Sequence, residues 1–171
     1  MASVDHRIKS LASTHELLSH SRWHGVSLLE IIRREFAPYT VGNTEIGGPS
    51  ITLKPEAAQA MAMVLHELAT NAAKYGALSN HTGRVFVRWY WLPNGSQHHR
   101  LAIEWQETEG PPVSVPSASG YGTSVIRELL PHELGGTVVL TFARGGVRCR
   151  LEVPANWVSG DCRAEQRGAD K

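Results

Sequence analysis

The chain has 171 residues, 17 Lys and Arg against 16 Asp and Glu, and a formal net charge of +1. This length suits one domain with a real core, and 42% hydrophobic with 19% charged residues excludes a disordered or collagen-like chain. The near-neutral balance argues against a protein built to grip nucleic acid, and no stretch approaches the roughly 20 apolar residues of a membrane span.

The segment Met1-Ala-Ser-Val-Asp-His-Arg7 lacks the apolar core of a signal peptide, and Cys149 and Cys162 form no C-x-x-C pair. A cytoplasmic domain without membrane insertion is expected. Val4, Ile8, Leu11 and Leu18 recur at helical spacing and predict an amphipathic helix over residues 4–20. A second helix is predicted over 28–36, where Ser27 and Glu30 have capping-box spacing and Pro38 stops the run. Two short strands with turns follow in 39–53. The third helix opens at Pro55, runs through good helix formers to Tyr75 and ends at Gly76.

Strand-like stretches at 84–91 and 101–106 flank a polar loop. Gly120-Tyr121-Gly122-Thr123 opens a fourth helix that reaches Leu134 and ends at Gly135-Gly136. A last hairpin pairs 137–142 with 147–153, and the residues from Asn156 onward are predicted to be a polar tail. This order predicts an α/β (α+β) two-layer sandwich, its sheet mixed and mostly antiparallel, with helices on one face.

On the third helix, at about 100° per residue, Met61, Leu65, Leu68, Ala69 and Ala72 share an arc toward the sheet. Glu67, Asn71 and Lys74 stand at i, i+4 and i+7, on one stripe away from that arc. Such a stripe is ordinarily a solvated helix face. It also suits a magnesium polyphosphate, because Mg²⁺ takes hard oxygen ligands and lysine offers a point charge to phosphate oxygens. Gly120 and Gly122 add weight to the second reading: glycines let backbone approach a ligand, and the helix behind them aims free N–H groups at an anion.

Three segments carry a family resemblance. His66-Glu67-Leu68-Ala69-Thr70-Asn71-Ala72-Ala73-Lys74-Tyr75-Gly76 resembles the N box of the HWE-type sensor histidine kinases, within the GHKL ATPase group. Trp105-Gln106-Glu107 with Gly110-Pro111-Pro112 is similar to that family's second signature, and Gly120-Tyr121-Gly122-Thr123 to its second glycine box. The resemblance covers about residues 8–154. It implies the Bergerat ATP-binding fold and catalysis by a sensor kinase that moves the γ-phosphoryl of Mg-ATP to a histidine.

It also implies roles for single residues. Asn71 would help coordinate Mg²⁺, Glu67 would order the γ-phosphate and metal water, and His66 would act beside them. Lys74 would contact phosphates and Tyr75 would lie against the nucleotide. Glu107 stands where related kinases place an aspartate that accepts from the adenine amino group, and its extra methylene requires a backbone set further back. Gly110, Gly120, Tyr121, Gly122 and Thr123 would frame the nucleotide and its lid. Glu109 departs from the pattern, standing where the family has glycine, and the stretch from Glu107 to Gly120 leaves room for only a small lid.

Other histidines are weighed against the same pattern. His66-Glu67-x-x-Thr70 lacks the second histidine of a zinc H-E-x-x-H motif. His6-Arg7-Ile8-Lys9-Ser10 is similar to the surround of a phosphoacceptor histidine, yet only about a dozen residues separate it from Leu17–Trp23, where the family has a whole helical hairpin. Residues 1–25 are therefore expected to be the second helix of that hairpin and a linker, 26–155 the catalytic domain and 156–171 the tail, with the acceptor helix outside this chain. Expected partners are that helix, on the same or another kinase, a response regulator and a second copy of the chain. Two alternatives stay open: a nucleotide-binding regulatory module without turnover, and a GHKL ATPase or serine kinase of another branch.

Overall fold

The computed structural model describes residues 25–39, 42–93, 100–114 and 120–159. The helix expected over 4–20, His6 and the other early histidines, the loop with His98 and His99, residues 115–119 of the expected lid and Cys162 lie outside the described residues.

Helix α1 spans Leu28–Phe36, with the Ser27 hydroxyl accepting from the Glu30 N–H at 3.5 Å, which is the start its capping residues predict. Pro38 falls in the 3₁₀ turn Ala37–Tyr39 that ends it. Helix α2 runs from Pro55 to Tyr75, with Pro55 in the first turn where a missing N–H costs nothing. Helix α3 covers Tyr121–Leu134 and terminates on Gly135 at φ 63°, a left-handed cap natural to glycine.

Five strands make the main sheet: β2 (Thr44–Gly47), β4 (Arg84–Leu92), β5 (Arg100–Thr108), β6 (Thr137–Ala143) and β7 (Gly146–Pro154), in the order β2-β4-β5-β7-β6. β2 runs parallel to β4 and every other pairing is antiparallel, so the sheet is mixed as expected. A small second sheet, which periodicity did not reveal, joins β1 (Val26–Ser27), β3 (Thr52–Leu53) and β8 (Val158–Ser159).

That second sheet corrects the predicted tail. Residues 155–157 form a 3₁₀ turn and Val158–Ser159 pair with Thr52–Leu53, while the Trp157 indole donates to the Leu134 carbonyl at 2.9 Å. The ordered domain thus runs past Asn156, because Trp157 and Val158 pack on the core.

The core lies between the sheet and the helices, and α2 is buried on more than the one arc its sheet-facing residues define. Met61, Leu65, Leu68, Ala69 and Ala72 are buried as expected, but so are Ala57, Ala58, Ala60, Ala62 and Val64. The small side chains admit α1 and α3 on its flanks, as close helix packing requires. Strand alternation sends Val85, Val87, Leu101, Ile103, Trp105, Leu151 and Val153 inward. Arg88, Tyr90, Glu104, Arg150 and Glu152 form a polar ladder outside, with Arg88 on Glu45 at 2.8 Å and Tyr90 on Glu104 at 2.7 Å. Cys149 is buried opposite Trp105, and burial pushes its thiol up to about 12, so it stays protonated and acts as packing.

Among the described residues Glu109 is the one non-glycine at positive φ, 55°. A side chain thus occupies a left-handed turn of the kind glycine favours, held by Thr82 Oγ1 donating to the Glu109 carbonyl at 3.0 Å. Its carboxylate, exposed, faces Arg84 at 3.7 Å, a contact of little worth in water. Substituting Glu109→Gly is expected to stabilise the domain by about 1 kcal/mol and raise Tm by about 2–4 °C in a thermal melt.

Candidate functional site

The last turns of α2, the inner face of β5 and the first turn of α3 meet around a cavity of about 550 Å³. Its lining includes Asn71, Tyr75, Glu107, Gly120, Gly122 and Thr123, so residues distant in the chain and singled out from sequence share one wall. Leu68, Ile126, Leu140, Phe142 and Val147 give it an apolar floor, which the motif reading had not included. Those five are core-type residues whose spacing fits ordinary packing, so only the fold reveals them as a surface for a flat apolar group.

Glu107 lines the cavity, buried at the end of the inward face of β5. The Ala77 N–H donates to its Oε2 at 2.9 Å and the Trp105 indole N–H to its Oε1 at 3.0 Å. Desolvation raises the pKa of this carboxyl above the ordinary glutamate value, while the Ala77 and Trp105 hydrogen bonds oppose the rise. For an acid raised in the folded state, stability is greatest once it is protonated and falls as pH climbs through the raised value. Each oxygen keeps a second lone pair.

The glycines fit this carboxylate closely. A Cβ on Gly76 would collide with Glu107 Oε2, and one on Gly146 with the Glu107 carbonyl oxygen. Gly110 does not line the cavity. It packs behind, where a Cβ would come within 2.8 Å of the Ala77 Cα, so it serves the turn that delivers the Ala77 N–H.

Helix α3 opens at the cavity with Gly120 as its N-cap, in extended conformation and without a side-chain cap. Its N-terminus supplies Gly120, Gly122 and Thr123 to the cavity wall, and a helix N-terminus carries the positive end of the helix dipole. Glu67 reaches this point from α2: a Cβ on Gly122 would lie 2.5 Å from Glu67 Oε2. Asn71, one turn further along the same stripe, lines the cavity itself. Glu67 and Asn71 thus set two oxygen-bearing side chains beside a helix N-terminus, a set suited to Mg²⁺ and phosphate.

Three expected contacts are placed differently. Lys74 is exposed on the last turn of α2 and is not part of the cavity wall. Tyr121 is 64% exposed and also outside the lining, while Tyr75, 73% exposed, stands at the rim. His66 is turned from the cavity toward α1, where its Nδ1 lies 2.9 Å from Glu35 Oε2. A carboxylate only accepts, so the ring carries its proton on Nδ1 and is held in one orientation next to Glu67. His66 does not stand among the cavity-lining residues.

Glu35 and Phe36 are the residues that sequence reasoning missed. Glu35 looks like a charge on an amphipathic helix, yet it is buried against His66. Phe36 stacks on Trp105 with ring centroids 5.2 Å apart and planes 9° from parallel. One dipeptide at the end of α1 thus grips the residues that precede or adjoin both site carboxylates. Replacing Glu35→Ala is expected to cost about 1–2 kcal/mol by urea unfolding, because a half-buried imidazole N–H loses the Glu35 acceptor. Glu35→Gln, whose amide oxygen still accepts, is expected to retain most of that stability.

Comparisons with known proteins bear on the family and the fold. The model of the HWE histidine kinase family matches residues 1–50. The chain is 32% identical over 154 residues to a blue-light-activated histidine kinase of Rhizobium johnstonii, a match covering 90% of this chain and 44% of that protein. A blue-light-activated histidine kinase of Brucella ovis is 28% identical over 151 residues, covering 86% of this chain and 31% of its own length. The chain therefore spans less than half of these curated relatives.

In fold, it is similar to the histidine kinase domain of the Erythrobacter litoralis EL346 blue-light activated histidine kinase, with a TM-score of 0.62 at 16% identity over 90% of this chain and 75% of that one. The mycobacterial sensor histidine kinase MprB gives 0.55 at 21% identity over 77% and 97%. The chain is thus similar along nine-tenths of its sequence to a histidine kinase, matches the HWE histidine kinase family over residues 1–50, and shares the fold of solved histidine kinase domains.

Proposed function

We propose that this chain is the ATP-binding catalytic part of a two-component sensor histidine kinase, which moves the γ-phosphoryl of Mg-ATP to a histidine on a phosphotransfer hairpin. One observation carries the reading. A single cavity is lined by a buried carboxylate with spare acceptor capacity, by Asn71 and by a glycine-rich helix N-terminus, beside which Glu67 lies.

The residues present fit the group. Glu107 offers an acceptor oxygen to an exocyclic amino group, and Leu140, Phe142 and Val147 offer apolar surface to a purine ring. Gly122 leaves open the space beside Glu67 that a Cβ would fill. Asn71 Oδ1 and the Glu67 carboxylate are the hard donors that would hold Mg²⁺ directly or through its waters. Bound Mg²⁺ neutralises charge on the phosphates and so eases their transfer.

Each residue then has a task in that transfer. The N–H groups of the α3 first turn bind phosphate oxygens and fix the chain of phosphates in line. Glu67, held beside Gly122, orients metal water or the incoming nucleophile. His66, locked on Glu35, holds the α2 turn that carries Glu67. Tyr75 covers the rim, and Lys74, one turn beyond Asn71, meets phosphate oxygens only by extending over that rim.

The acceptor histidine belongs to a hairpin of the same or a partner kinase, and the phosphoryl passes on to a response-regulator aspartate. The chain works as a cytoplasmic module and pairs with a second copy. No helix among the described residues is long and apolar enough to cross a membrane.

Incubation with Mg-[γ-³²P]ATP tests the reading. Acid-labile label on a supplied phosphotransfer hairpin, dependent on the chain, is expected; its absence despite tight nucleotide binding would instead mark a regulatory module. Label on the chain alone would place an acceptor within it, with His6 the first candidate. Asn71→Ala is expected to lower transfer by about two orders of magnitude while circular dichroism stays unchanged. Unchanged transfer and unchanged Mg-dependent affinity would remove Asn71 from the site.

A further inference from the structure

The indole of Trp105 has a partner whose chemistry extends the nucleotide reading. Trp105 and Glu107 sit at i and i+2 on β5, so the pleat sends both to the inner face. Both are buried, and the indole N–H donates to Glu107 Oε1 at 3.0 Å while the ring lies flat on Phe36. The second oxygen is held by the Ala77 N–H, and Gly76 and Gly146 close on the carboxylate and on its backbone. Two donors fix both the rotamer and the orientation of the carboxylate plane, and both favour its ionised form.

We propose that Trp105 is a specificity-determining positioning residue: by holding Glu107 in one orientation as an acceptor-only carboxylate, it makes the site select a 6-amino purine over a 6-oxo purine. The inference rests on the cavity being a nucleotide site. An ionised carboxylate can accept from an exocyclic amino group but meets an O6 carbonyl acceptor to acceptor, and a rigid one cannot turn aside. Without the indole donor, Glu107 gains rotational freedom and takes up a proton more readily. A protonated carboxyl can donate to O6. The Phe36 stack belongs to the same device, because it fixes the plane in which the indole N–H points.

The test is the ratio of dissociation constants for Mg-ITP and Mg-ATP, measured by calorimetry on the full chain. A ratio is insensitive to a fraction of unfolded protein, which lowers both apparent affinities alike. Trp105→Phe keeps a ring against Phe36 and removes only the donor. It is expected to weaken ATP roughly tenfold and ITP less than twofold, so that the ratio falls roughly five- to tenfold.

A folded Trp105→Phe chain with its ratio unchanged overturns the proposal. Should that variant not fold, Phe36→Leu, which loosens the indole but keeps its N–H, is expected to lower the ratio as well, and an unchanged ratio there overturns it equally. Wild-type chain that binds ATP and ITP alike overturns the proposal and leaves the kinase reading standing. Wild-type chain that binds neither overturns the kinase reading and this one with it.

Discussion

A carboxylate can be kept inside a protein only if donors replace the water it has lost, and around Glu107 much of the site is arranged to meet that demand. The Ala77 N–H becomes available because α2 ends at Tyr75 and the chain turns at Gly76, where a side chain would strike the carboxylate. Gly110 and Gly83 press against Ala77 from behind, each too close to admit a Cβ, and so keep its N–H directed inward. The indole of Trp105 supplies the other donor from the same strand. The end of one helix, a tight turn and the sheet are thus tied to the position of one charged group.

Helix α1 extends this constraint across the domain. Its last two residues diverge, Glu35 to the imidazole on α2 and Phe36 to the indole on β5. One short helix therefore contacts both the turn carrying Glu67 and the strand carrying Glu107. His66 and Trp105 share a setting in this arrangement: each holds its ring against α1, one residue before Glu67 and two before Glu107. That common support also explains why a buried glutamate is tolerated at position 35, since His66 satisfies it.

The resemblance read from three short segments agrees with the kinship and the fold, and most elements follow the sequence closely. α1 and α2 occupy the residues that capping, proline and apolar spacing assign to them. The places where the reading fell short share a cause. The strands β1 and β8 are two residues each, too short for any period, and exist only because β3 lies between them. A 3₁₀ turn and a two-residue strand look like polar loop in sequence until Trp157 finds the Leu134 carbonyl. On α2 a single apolar arc was read where alanines in fact let helices pack on two further sides.

Local chemistry, then, was written in the order of residues. Proline opens α2, glycines end α2 and α3, and alternation puts Trp105 and Glu107 on one face, because each depends on neighbours along the chain. Even the anomaly at Glu109 was visible as a side chain where a turn wants glycine, and the backbone shows it at φ 55°. Partnership across the fold was not legible. That His66 turns to Glu35, that Phe36 lies on Trp105, and that Lys74 stays outside the cavity depend on how helices dock on the sheet. Side chains 31 or more residues apart meet only after the core has fixed those elements in space, and no local pattern records which of them will touch.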